Sequence, residues 1–313
     1  MQVTIRPLVE DDLPEADRIF RLAFGTFLGL PDPLSFMGDA DLVTSRWRAA
    51  PEATVGAFDG ETLVGSNFAT RWGRFGFFGP LTIKPDLWDR GIAQQLLSAT
   101  MEWFRMSDVT QVGLFTFPHS PRHIGLYQKF GFWPRFLTPI MWKPAGPVAK
   151  PAAHTAYSAL SASEQASCLD ACRTLTGSIQ AELDVTTEIL SVAQQRLGET
   201  VLIHDGSDLA GFAVLHQGAG SEAGSDTTFV KFGAVRGGAD APRRFMRLLD
   251  ACEAAAGARA PGRLIAGVNA ERHHACRLMM EAGFRTLISG VAMLCPNEAS
   301  YNRADCFVMD DWR

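Results

Sequence analysis

One stretch constrains this chain more than any other: Leu81–Phe104, LTIKPDLWDRGIAQQLLSATMEWF. Leu81 and Ile83 alternate as in a strand and lead into Pro85, while Ile92, Leu96, Leu97, Thr100 and Trp103 recur at helical spacing. The intervening loop, 86–91, therefore sits at a strand-to-helix junction. A helix start leaves backbone N–H groups unpaired and carries the positive end of the helix dipole. With Gly91 and Ala93 adding almost no bulk, a phosphate could reach the main chain there. The plainer reading is an ordinary helix start after a Pro-Asp turn.

A second motif bears on that choice. From Ser120 the sequence reads SPRHIGLYQKFGF, a short helix closed by Gly131 and followed by an aromatic strand. The two segments together resemble the GNAT superfamily of Gcn5-related N-acetyltransferases. In that family a strand ending V-x-P runs into [QR]-x-x-G-x-[GA] at a helix start, and a later helix resembles LYxKxGF. The corresponding residues are Ile83-Lys84-Pro85, then Trp88 to Ala93, then Leu126 to Phe132, with Trp88 standing where Gln or Arg is usual.

This resemblance, which covers residues 1–145, implies a mixed α/β (α+β) sheet and acetyl-CoA as cosubstrate without a metal. It implies pantetheine held by the backbone of Leu81 and Ile83, and pyrophosphate held by Trp88, Asp89, Arg90, Gly91, Ile92 and Ala93, with Ser120 also at the cofactor. Tyr127 matches the tyrosine that serves as general acid in many relatives, a phenol having a pKa above that of a thiol. Its alternative is a core aromatic spaced with Ile124 and Phe130. Relatives often supply a basic carboxylate on the strand before the loop. Arg74 to Ile83 has none, which leaves His119 and His123 as the nearest titratable groups, each also readable as a surface or capping histidine. The implied activity is acetyl transfer to the amine of a small acceptor by direct attack. A non-catalytic acyl-CoA-binding or regulatory module is the alternative.

Length and charge narrow the rest. A chain of 313 residues exceeds the usual single domain, so two domains are expected. With 47% hydrophobic residues, 20% charged, a net charge of -5 and no Lys/Arg run, neither nucleic acid nor an anionic membrane is an expected partner. No charged-then-apolar leader follows Met1, and cytoplasmic residence is the expectation. The six cysteines, all in the second half and without a CxxC pair, read as buried free thiols. The assembly is left open, a homodimer included.

Along the chain, residues 3–9 read as a strand and Leu13, Ala16, Ile19, Phe20 and Ala23 as one face of a helix. Residues 25–38, broken by Pro31 and Pro33, suit a mobile flap, and the resemblance implies that this region shapes the acceptor pocket. A helix over 39–50 and a hairpin turning at Asp59-Gly60 follow, then one strand over 75–83, a strand over 109–117, and closing strand structure over 133–142. Among the aromatics Trp72, Phe75, Phe77, Phe78, Phe115 and Phe117, most read as core and some as lining for an apolar acceptor pocket. The Pro-rich segment 146–155 reads as a linker between a domain at 1–145 and one at 156–313. Helices are expected at about 162–176, opened by the capping box Ser161/Glu164, and at about 184–197.

The second half repeats the first. Asp59-Gly60-Glu61-Thr62-Leu63-Val64-Gly65 matches Asp205-Gly206-Ser207-Asp208-Leu209-Ala210-Gly211 at an offset of 146, and Gly131-Phe132 matches Gly283-Phe284 at 152. The extra residues fall in the glycine-rich 218–226, expected to be a hairpin loop lengthened at little cost. Gly91 becomes Arg243, Ala93 becomes Phe245 and Tyr127 becomes Met279. The second copy therefore reads as a tandem GNAT-like fold without a working cofactor site, Phe245 standing where a pyrophosphate would touch backbone. In the alternative, Arg243 and Arg244 themselves hold phosphate.

Overall fold

The computed structural model describes residues 3–146, 153–258 and 262–313. The first half runs β1 (Thr4–Pro7), α1 (Leu13–Phe27), α2 (Val43–Ala49), β2 (Thr54–Asp59), β3 (Thr62–Trp72), β4 (Phe75–Phe78), β5 (Thr82–Ile83), α3 (Ile92–Met106), β6 (Gln111–Thr116), α4 (Pro121–Gln128) and β7 (Trp133–Ala145). The second runs β8 (Thr155–Ala156), α5 (Ala162–Ile179), α6 (Thr186–Gln195), β9 (Gly198–Asp205), β10 (Asp208–Gly218), β11 (Gly224–Val235), α7 (Ala241–Gly257), β12 (Gly262–Gly267), α8 (His273–Glu281), β13 (Arg285–Cys295) and β14 (Val308–Met309). Both halves thus read helix–helix–hairpin–strand–helix–strand–helix–strand, the order that the internal repeat implies. The fold is the expected mixed α/β sheet in two tandem copies.

The hydrogen bonding does not divide where the sequence does. The sheet order is β1-β2-β3-β4-β6-β13-β7-β12-β11-β10-β9-β8. β13, from the end of the second half, pairs with β6 from Val291↔Thr116 to Cys295↔Val112, while β7 of the first half pairs with β12 from Ala145↔Gly262 to Ile140↔Gly267. Each half hands one long strand to the other, and β13 and β7 pair at the crossing. A boundary at 145/156 separates the copies in sequence but not in the sheet. The core of the proposed linker, 147–152, lies outside the described residues.

Aromatic packing seals this junction. Trp72, Phe75 and Phe77 of the first half enter one cluster with Phe232, Tyr301 and Trp312, and Trp72 meets Phe232 edge-on at 5.2 Å. These side chains are buried core between the halves and do not line an acceptor pocket. A second cluster packs α3 and α4 on the first sheet through Phe78, Leu97, Phe104, Tyr127 and Phe132. Large aromatic and aliphatic groups removed from water at about 25 cal/mol per Å² dominate the stability of such an interface.

Three local expectations need correcting. The strand expected over 75–83 is broken: β4 ends at Phe78, Gly79 takes φ 149, and only Thr82–Ile83 resumes pairing, with β3. Residues 28–38 are not a loose flap, because the Arg21 guanidinium donates to the carbonyls of Phe36, Gly38 and Ala40 while Phe36 stacks on Phe24 at 5.3 Å. Finally, 218–226 is not an idle extension. Ser225 N–H donates to Asp39 Oδ1, Gly220 N–H to the Asp39 carbonyl and Asp41 N–H to the Ser221 carbonyl, so the loop docks on the first half just before α2.

Candidate functional site

The break in the strand creates the site. β4 pairs in parallel with β6 only over Phe75↔Gln111 to Phe77↔Gly113. Beyond Phe77 the chain turns toward β3, where Gly79 N–H donates to Phe68 O at 2.8 Å and Lys84 N–H to Val64 O at 2.9 Å. A wedge therefore opens between residues 81–83 and the end of β6. Successive residues of a strand direct their N–H and C=O groups to opposite edges. With Thr82 and Lys84 bonded toward β3, the main-chain groups of Leu81 and Ile83 face the wedge, the Ile83 carbonyl already accepting from the Trp88 indole. This is the edge on which an extended pantetheine could add as a further strand-like partner.

The loop after the wedge is shaped by left-handed backbone. Asp89 takes φ 64, and Gly91, the N-cap of α3, takes φ 77 with ψ 5. No side chain caps this helix start, and a Cβ built on Gly91 would have nothing within 4 Å. The first N–H groups of α3 are thus left for an outside acceptor, with open space before them. Ile92 is buried and Ala93 packs beside it against Val64 and Ile83, so these two serve the core with their side chains and offer only main chain to a ligand. Arg90 is exposed.

Trp88 is expected among the residues that hold pyrophosphate, as an unusual residue at its motif position. In the structure its indole N–H donates to the Ile83 carbonyl at 2.9 Å, stapling the loop to the end of the strand. The Arg122 guanidinium lies 5.0 Å from the Trp88 ring and pairs with Asp89 at 3.3 Å, tying the loop to α4. Asp89 is largely exposed, so this ion pair contributes little. Nothing in the motif spacing foretold this bracing.

Ser120 is the N-cap of α4, and Tyr127 lies on that helix. The Ser120 hydroxyl caps that helix, accepting from His123 N–H at 3.4 Å, so it is engaged by its own backbone. Tyr127 is buried beside Phe78 and Phe132, with ring centroids at 5.9 and 6.4 Å, and burial pushes its phenol well above its usual value. It holds its proton at every working pH. His123 lies 5.0 Å from the Phe27 ring, and burial, with Arg122 and His119 nearby, lowers its pKa and leaves it neutral near pH 7. Phe117, 5.0 Å from Phe27, and His119 complete this aromatic group beyond the end of β6. A cavity of about 240 Å³ opens elsewhere, between the halves beside Arg46, Glu188, His216, Glu222 and Lys231, and none of the expected cofactor residues lines it.

The second half shares the uncapped helix start but not the small residues beside it. α7 starts at Ala241, so Arg243, Arg244 and Phe245 lie within its first turns. Arg244 is taken up by Asp205 at 2.6 Å and by the Arg236 and Gly237 carbonyls, and Arg243 by Asp240 at 3.1 Å. Phe245 corrects the sequence reading: it does not stand before the helix start but is buried in the core against Phe307. Met279, in the place of Tyr127, is likewise buried.

Comparison with known proteins agrees with this geometry. Residues 18–132 match the model of the acetyltransferase (GNAT) family. A search of curated sequences found no match. Among solved structures, a protein classed as an acetyltransferase from Pyrococcus horikoshii superposes with a TM-score of 0.69 at 15% identity, over 99% of this chain and 95% of its own. A GCN5-related N-acetyltransferase from Sphaerobacter thermophilus gives 0.59 at 15% over 93% and 95%, and one from Anabaena variabilis 0.54 at 13% over 94% and 72%. At such identities the likeness is one of fold, and it extends across both halves. The splayed strand and the uncapped helix start both fall within residues 18–132, the segment that matches the model of the acetyltransferase (GNAT) family.

Proposed function

We propose that the chain is an acyl-CoA-dependent N-acetyltransferase that works through its first half and transfers acetyl from acetyl-CoA to the amine of a small acceptor. The observation that carries this reading is the start of α3: a glycine at φ 77, no capping side chain, and empty space where a Cβ would point. Acetyl-CoA would supply the activated thioester. The chain's own contribution is placement. Main-chain groups of Leu81 and Ile83 orient the pantetheine arm, and the N–H groups from Asp89 to Ala93 receive the pyrophosphate.

As the amine attacks, the new C–N bond forms and the C–S bond breaks, so one proton must leave nitrogen and one must reach sulfur. Tyr127 is the group proposed to give the proton to sulfur; a phenol raised by burial is a reluctant acid, so its donation depends on a thiolate developing close to it. His123, its pKa lowered by burial, is the group proposed to receive the amine proton. The proposed setting is cytoplasmic, with a small amine and neither nucleic acid nor membrane as partner.

One observation favours the alternative, a non-catalytic acyl-CoA-binding module: the site pairs a buried, high-pKa phenol with no carboxylate on the strand before the loop. Release of free thiol from acetyl-CoA across a panel of small amines separates the two. Tight binding without release by any amine supports the binding module, and absence of both binding and release overturns the proposal.

A further inference from the structure

The second half, without a cofactor site of its own, still reaches the first half's site through one buried side chain. Arg46 on α2 is 5% exposed, and its fork is divided among three partners, Glu222, the Gly79 carbonyl and, through Nη2, the Arg313 carbonyl. Nε and Nη2 donate to the two carboxylate oxygens of Glu222, each at 2.8 Å, while Nη1 donates to the carbonyl of Gly79. Gly79 is where the chain leaves β4 and turns along β3 toward Leu81 and Ile83, so its carbonyl helps set the direction of the wedge edge. Glu222 is 4% exposed and also takes Lys231 Nζ at 2.8 Å on both oxygens. Glu222 lies in 218–226, the segment by which the second copy exceeds the first, and the loop there docks on Asp39 and Asp41 immediately before α2.

We infer that Glu222 and Arg46 are positioning residues for the cofactor strand: the second half holds the Arg46 guanidinium through Glu222, and Arg46 holds Gly79 so that Leu81 and Ile83 keep their edge turned to the wedge. The inference rests on the reading of that wedge as the cofactor site. A guanidinium suits the task because its planar fork bonds a carboxylate on one side and a carbonyl on the other at once; a lysine, a single point of charge, cannot do both. The Arg46–Glu222 pair would by itself be a general fastener between halves. Its extension to Gly79 is what gives it a local effect.

The test compares Arg46→Lys and the milder Glu222→Asp with the unaltered full chain, using two readouts. Hydrogen exchange, measured without any ligand, follows the amides of Gly79 and Lys84, both bonded to β3. Calorimetry follows acetyl-CoA affinity. Exchange at Gly79 and Lys84 should quicken more than at the amides of β2 or β9, and affinity should weaken on the order of tenfold, the scale of one charge-assisted hydrogen bond. The double variant should lose no more affinity than the worse single one, because both act through the same carbonyl. If melting temperature falls while local exchange and affinity keep their wild-type values, the pair is only a fastener and the inference is overturned. If the unaltered chain binds no acetyl-CoA, the functional reading fails, but exchange at Gly79 and Lys84 still decides whether Arg46 positions the strand. Should Arg46→Lys fail to fold, Glu222→Asp carries the same two readouts.

Discussion

Gly91→Phe tests the anion site most directly, and the structure lets its two effects be separated. Gly91 takes φ 77, a conformation that costs any residue with a Cβ about 1–2 kcal/mol. In a chain of this length that strain lowers the melting temperature by a few degrees, at ~2–4 °C per kcal/mol. The open space around Gly91 adds no clash within the protein. What the ring would displace is the ligand: losing two charge-assisted hydrogen bonds from main-chain N–H groups, at ~1.5–3 kcal/mol each, weakens binding at least about a hundredfold. Gly206 is the matched control, since it takes φ 61, likewise has nothing within 4 Å of a Cβ, and sits in the turn of the second half's hairpin. Gly206→Phe should cost the same few degrees and leave affinity untouched. Calorimetric titration with acetyl-CoA beside thermal unfolding reads both. Equal affinity in the two variants would refute the assignment of the α3 start as the pyrophosphate site.

Three further outcomes are expected. Titration of the unaltered chain should give one acetyl-CoA per chain, because Arg244 and Phe245 are committed to Asp205 and to the core at the second helix start; a stoichiometry near two contradicts this. Tyr127→Phe keeps the ring among Phe78 and Phe132, so affinity should hold while turnover falls roughly 10- to 10,000-fold; unchanged turnover with a working acceptor removes the general-acid role. Burial pushes the Glu222 carboxyl up, but the Arg46 guanidinium and Lys231 together outweigh it and hold the group well below the usual carboxylate range. A depressed carboxylate pKa adds stability above the unfolded value near 4.5 that is lost as pH falls through the folded value, so acid weakening of the junction should set in only below that unfolded value. Fluorescence of the buried Trp72 and Trp312 would report it, and a transition above pH 5 would show that another group governs the junction.

Local order was legible in the sequence wherever short-range chemistry decides it. Helical spacing placed α1 and α3, the Asp59-Gly60 turn placed the β2–β3 hairpin, and Ser161 with Glu164 formed the expected capping box. The internal repeat gave the element order of the second half. What stayed hidden were partners far apart in the chain. Nothing in Arg285–Cys295 says that it will lie on β6 and not on its own half, since an apolar strand satisfies either edge equally well. The glycine-rich 218–226 read as slack because its polar residues looked solvated, whereas Glu222 is buried on Arg46, 176 positions earlier. Trp88 was legible as an exception to a motif but not as a staple, because its partner is a carbonyl and carbonyls have no sequence signature.

The crossing of β7 and β13 bears on how the chain comes to exist during synthesis. A ribosome delivers β6 and β7 long before β13, the strand that must lie between them. Until then the first half carries two unsatisfied strand edges, the feature most prone to pairing with a neighbouring chain. Completion of the sheet therefore becomes a late event, timed by the arrival of β13. Truncation after residue 145, which a linker-based boundary would recommend for producing a minimal enzyme, should yield an aggregating fragment. The second copy then has a use unrelated to catalysis: it supplies the strand that completes its neighbour's sheet.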